Sequence, residues 1–133
     1  MPRISGLFDV SLKPLEMGDD LASQLIARMS IDKQYHGDLE ATGKGQMLTG
    51  GTSIRNSAAY VAIERVTGTV KGKKGSFTLA HAGLMNRGSP SLVITIVPDS
   101  GTDQLEGLKG TMTINIEAGR HSYQLDYALA DRV

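Results

Sequence analysis

The chain has 133 residues, 14 basic and 14 acidic side chains, and no cysteine. A length of this order fits one domain, here 1–133, able to bury roughly two thirds of the surface it exposes when unfolded. Zero net charge without a basic, aromatic-interleaved stripe argues against a nucleic-acid partner, and the lack of cysteine excludes disulfides, thiolate catalysis and Cys-based metal sites.

The opening "MPRISGLFDVS" has no charged leader followed by an apolar run, and no stretch is apolar for long enough to span a bilayer. A cytoplasmic protein with no membrane partner is expected. The three histidines, His36, His81 and His121, show no ligand spacing, so no metal and no cofactor are expected.

Sixteen glycines divide most of the chain into period-two segments. In chain order the strands are expected at about 4–12, 24–33, 39–49, 57–70, 75–85, 91–98, 110–117 and 120–129. Only "EMGDDLAS" and "TDQLEGL" look helical. The first strand offers Ile4, Phe8 and Val10 to a core, and the second offers Leu25, Met29 and Ile31. A three-residue loop at His36, Gly37 and Asp38 aligns Ile31 with Gly43 and Met29 with Gly45. A turn centred between Gly72 and Lys73 sets Val66 against Leu79, Gly68 against Phe77 and Glu64 against His81. Around "NRGS", Leu79 meets Ile96 and His81 meets Ile94. Around Ala118 and Gly119, Ile116 meets His121, Ile114 meets Tyr123 and Met112 meets Leu125. Register matters because a one-residue slip would turn every side chain to the other face.

All eight segments thus share an apolar face, and eight antiparallel strands with short links close into an all-β up-and-down barrel, which removes exposed edges. Such a barrel holds packed side chains or one small ligand. Gly6, Gly43, Gly45, Ala62 and Gly83 leave local room inside, and Met29, Met47, Met85 and Met112 give adaptable walls.

Inside, the expected catalytic candidates are Glu64 and His81, a buried carboxylate and imidazole close enough to titrate as a pair. The expected ligand contacts are Tyr60, Phe77, Met85, Tyr123 and Tyr127. A bridge of this kind could equally pin strand register and do no chemistry. Outside, Val61, Ile63, Ala80, Ala82, Leu84, Val93 and Val97 form an apolar patch beside Arg65. A homo-oligomer, dimer or trimer, is expected to cover it, unless the helical "EMGDDLAS" segment or the C-terminal tail does so. His36 reads as a solvated turn residue beside Asp38, and Lys71, Lys73 and Lys74 as exposed charges on a glycine turn.

The segments "ISGLFDVSL", "MSIDKQYHGDLEATGKGQML", "HSYQLDYAL" and the long run from Ala58 to Ile114 together resemble a bacterial domain-of-unknown-function family of the DUF3224 type. The resemblance implies an allene oxide cyclase-like, more broadly lipocalin-like, barrel. Its most specific segment is "SGTDQLEGLKGTMTI", in which Leu105 and Leu108 can plug one end. In cyclase-like barrels a buried carboxylate acts on an oxylipin epoxide and the proteins assemble as oligomers. Glu64 matches such a carboxylate by residue type, but no cysteine is present to match a cavity cysteine.

Three functions fit. The first is a module binding a small, mainly apolar ligand in its lumen. The second is a cofactor-independent isomerase or cyclase using Glu64 and His81 as acid and base. The third is an oligomeric structural or interaction protein with a filled barrel.

Overall fold

Alternation at every second residue writes the wall of this protein: in one strand Ala62, Glu64, Val66 and Val70 are buried while Val61, Ile63, Arg65 and Thr67 are exposed. The computed structural model describes residues 2–130. Its elements are β1 (Arg3–Leu15), α1 (Asp19–Ala22), β2 (Ile26–Tyr35), β3 (Leu39–Gly51), β4 (Ala58–Val70), β5 (Lys73–Asn86), β6 (Ser89–Ile96), a 3-10 turn (Asp103–Leu105), β7 (Lys109–Glu117) and β8 (Arg120–Ala128). All neighbours pair antiparallel, and β1 closes against β8 to make an eight-stranded barrel.

Two hairpins follow the register expected from sequence. Leu79 faces Ile96 and His81 faces Ile94 across β5/β6, while Ile116, Ile114 and Met112 face His121, Tyr123 and Leu125 across β7/β8. Two others are displaced by two residues. Across β4/β5, Glu64 faces Leu79, Val66 faces Phe77, and His81 faces Ala62. The turn is Lys71-Gly72, with φ of 46° and 79°, the pair of left-handed residues that a tight two-residue hairpin needs. Across β2/β3, Ile31 faces Gly45 and Met29 faces Met47. The loop is effectively longer because His36 N donates to Leu7 O and Leu39 N donates to the Tyr123 hydroxyl, so neither joins the β2/β3 ladder. A two-residue displacement preserves every face, so the expected inward set survives.

Burial grades along the barrel. At the end holding the β4/β5 turn, Leu105 and Leu108 are 0 % exposed and pack with Leu39, Val70, Phe77 and Ile96, forming the expected plug. At the opposite end the inward row loosens: Val10, Met29, Met47 and Ile114 are half-buried, and Leu12, Met85, Leu92 and Ile116 are exposed. Leu25, expected in the core, is exposed and precedes β2 with φ of 63°. The wall also splays there. β6 and β7 pair only through Ile94 with Met112 and Thr95 with Thr111, and β1 beyond Phe8 pairs with β2 alone. The barrel is therefore a cup, sealed at one end and less tightly packed at the other.

Outside, Leu48, Val61, Ile63, Leu84 and Val93 are exposed, and one ladder row runs Leu48, Val61, Ala82, Val93 across four strands. Helix α1 packs on β2 and leaves this face uncovered. Residues 131–133 of the C-terminal tail lie outside the described residues. Arg65 points outward as expected, but it donates to Thr78 Oγ1 (2.9 Å) and Ser100 O (3.0 Å), tying β4 to the β6–β7 connection. Among the described residues no helix is long and apolar enough to cross a membrane.

Candidate functional site

Glu64 projects from the middle of β4 into the barrel and is 0 % exposed. The glycine facing Val66 across the β3/β4 ladder, Gly43, makes this position available. A Cβ on Gly43 would run into the Glu64 carboxylate and crowd the Tyr35 ring, so the absent side chain is what the carboxylate occupies. The expected free space at Gly43 is thus filled. The same holds at Gly83, whose missing side chain is replaced by the Tyr60 ring.

Three donors converge on the carboxylate. His81 Nε2 lies 2.9 Å from Oε1, Lys33 Nζ lies 3.1 Å from the same oxygen, and the Tyr35 hydroxyl donates to Oε2 at 2.5 Å. Lys33 Nζ also reaches the Tyr35 hydroxyl at 3.4 Å and sits over the Phe8 and Tyr35 rings, 5.1 and 5.7 Å from their centroids. The side chains of Lys33 and His81 are themselves buried.

Burial alone would favour a protonated Glu64. The His81 bond, the Lys33 charge and the Tyr35 bond together outweigh it and hold the pKa below the ordinary carboxylate value. The Tyr35 hydroxyl moves the other way: burial first, then the Glu64 charge, push it well above the usual phenol range, so it stays a donor. An ionised carboxylate can only accept hydrogen bonds, and this requires the His81 proton to sit on Nε2. The cluster is thus an anion held by three donors.

Glu64 and His81 therefore meet inside the barrel as the sequence predicts, though diagonally rather than face to face, because of the two-residue change in register. Lys33 and Tyr35 are the members that sequence reasoning missed. The expected second strand stops at Lys33, where a charge reads as a strand end. The alternation through Met29 and Ile31 runs on to Lys33 and Tyr35, and Lys33 lies opposite Gly43.

The expected ligand contacts divide by depth. Phe77 and Tyr127 are packed toward the plugged end, and the Tyr123 hydroxyl is engaged with His36 O (2.8 Å) and Leu39 N (3.1 Å), so all three belong to the packed core. Tyr60 is half-buried one row above His81, toward the mouth. Met85 lies at the rim, 40 % exposed, because β5 outlasts the packed core there; it is a mouth residue and no part of a closed lumen. His36 contacts Asp9 (3.1 Å) and Glu40 (3.7 Å), where Asp38 was the expected neighbour. The His121 ring lies tilted against Phe8, with centroids 5.3 Å apart.

Two comparisons locate this architecture among known proteins. A crystal structure of a protein of unknown function from the DUF3224 family of Shewanella oneidensis MR-1 superposes with a TM-score of 0.91 at 40% sequence identity, covering 98% of this chain and 99% of that one. No curated protein matches the chain. The family model described as "Protein of unknown function (DUF3224)" matches residues 4–127, and the chain belongs to that family.

Proposed function

We propose that the protein binds a small, mainly apolar molecule in the open half of the barrel. The observation that carries this is the gradient of burial: inward residues are sealed around Leu105 and Leu108 but accessible at Met29, Met47, Tyr60, Met85 and Leu92, directly above a buried polar cluster. Apolar walls with a few convergent polar groups are what small-molecule sites share. The methionines can adjust to an irregular guest. The packed lower half argues against a lumen open throughout, and the loose upper half argues against a filled barrel.

Acid–base catalysis by Glu64 and His81 is the weaker reading. A carboxylate that orients an imidazole also stabilises the imidazolium formed during proton transfer. Here Lys33 already neutralises Glu64, and a second cation at the same oxygen would be opposed. The resemblance to allene oxide cyclase-like barrels rests on the sequence pattern, and fold does not carry chemistry with it. This reading takes the protein as cytoplasmic.

An apolar fluorophore titrated against the purified protein tests binding. Met85→Lys places a charge at the mouth and should weaken binding about tenfold or more. Val61→Lys, which alters an open groove of about 470 Å³ whose lining is mostly outward-facing (Leu48, Val61, Ile63 and Ala80 among it) but also includes Ala62 and His81, should leave it unchanged. The reverse pattern would put the ligand outside the barrel and overturn the proposal.

The exterior row of Leu48, Val61, Ala82 and Val93, flanked by Ile63 and Leu84, supports assembly with a second copy of the chain. Light scattering on the purified protein should give more than one subunit, and Val61→Lys should give monomers. A monomeric unsubstituted protein would remove this part.

A further inference from the structure

We propose that the cup selects a ligand bearing a hydroxyl, recognised as donor by His81 Nδ1 and as acceptor by the Tyr60 hydroxyl. The inference rests on the reading that an apolar molecule enters the mouth and adds which polar group that molecule carries.

The Glu64 contact commits Nε2 of His81 as a donor, so in the neutral ring Nδ1 is left as a lone-pair acceptor. Among the described residues Nδ1 has no hydrogen-bond partner. Arg28 Nε is the only buried side-chain polar atom there without one, so Nδ1 is not sealed in protein. Tyr60 stands one position nearer the mouth: Ala62 faces His81 and Tyr60 faces Gly83 across the same pair of strands. Its ring covers Gly83, and its hydroxyl likewise has no partner among the described residues. Burial raises its pKa, which keeps the phenol protonated and able to donate.

The Tyr35 hydroxyl is already turned toward Glu64, and the Lys33 ammonium, whose charge Glu64 offsets, reaches Glu64 and the Tyr35 hydroxyl with two of its three N–H groups. What His81 and Tyr60 offer a guest is one acceptor and one group that gives or takes a hydrogen bond. An alcohol or phenol satisfies both. A carboxylate cannot donate to Nδ1, and an ether cannot either. Leaving a buried acceptor unsatisfied costs enough to separate such ligands by about tenfold or more.

Naphthol, its methyl ether and naphthoate form a matched series for calorimetry near pH 8. Naphthol should bind about tenfold tighter than either analogue. His81→Phe should erase that preference. Because His81→Phe also removes a donor from Glu64 and could unfold the chain, Tyr60→Phe serves as the second variant and should reduce the preference in a folded protein. Equal affinity for naphthol and its ether, or tighter binding of naphthoate, overturns the hydroxyl inference while leaving the cup as a binding site. Failure of all three, together with failure of the apolar fluorophore, overturns the binding reading itself.

Discussion

Glu64→Ala should lower the stability of the fold by about 3–5 kcal/mol, the range seen when one partner of a buried ion pair is removed. The loss is large because three donors are orphaned at once. Lys33 is left as an uncompensated charge inside the wall, and His81 Nε2 and the Tyr35 hydroxyl lose the acceptor they share. Chemical denaturation read by circular dichroism measures it. A loss below about 1 kcal/mol, the scale of an exposed ion pair, would mean that the cluster is hydrated and not a dry interior bridge.

The same group makes stability depend on acid. A carboxylate whose pKa is lower in the folded chain than in the unfolded one contributes fully above the ordinary value of 4.5, and the contribution is lost as pH falls through the folded value. The unsubstituted protein should therefore weaken progressively below about pH 4.5, and Glu64→Gln should remove that part of the decline. Asp126, paired with Arg3 on the surface at 2.6 Å, also has a lowered pKa, so the informative quantity is the difference between the two proteins.

Leu105→Ala should cost about 2–5 kcal/mol, whereas Met85→Ala should cost about 1 kcal/mol or less. Both residues are large and apolar. Leu105 is sealed among Phe77, Leu39 and Ile96 as the stopper of the closed end, so its removal leaves a cavity that the surrounding strands cannot collapse into. Met85 is exposed at the rim, where truncation changes little that is buried. Thermal unfolding of the two variants measures the asymmetry on which the cup depends. Equal losses would mean that the mouth is as tightly packed as the base, and the binding proposal would lose its main support.

Sequence by itself determined which side chains face inward. Period-two alternation, together with turns rich in glycine, was enough for the eight strands, their antiparallel order and the inward placement of Glu64 and His81. Strand geometry fixes face by parity alone, and two of the four hairpin registers read from the sequence could be wrong by two residues without disturbing it. The plug at Leu105 and Leu108 was legible for a similar reason, since two apolar residues within a glycine-rich connection have few places to go other than a barrel end.

Tertiary structure decided which inward groups touch. Barrel tilt brings residues of non-adjacent rows together, so Glu64 meets His81 diagonally and meets Lys33 and Tyr35 across the space that Gly43 leaves. A lysine in a strand pattern reads as an edge or a strand end, because an unpaired ammonium is too costly to bury. Only closure of the wall supplies the carboxylate that makes burial of Lys33 tolerable. Closure also divides the inward set by depth, turning Phe77, Tyr123 and Tyr127 into packing and leaving Tyr60 and Met85 at the mouth. Alternation repeats identically along a strand and carries no information about height in the barrel; which end is stoppered depends on how the β6–β7 connection folds back over it.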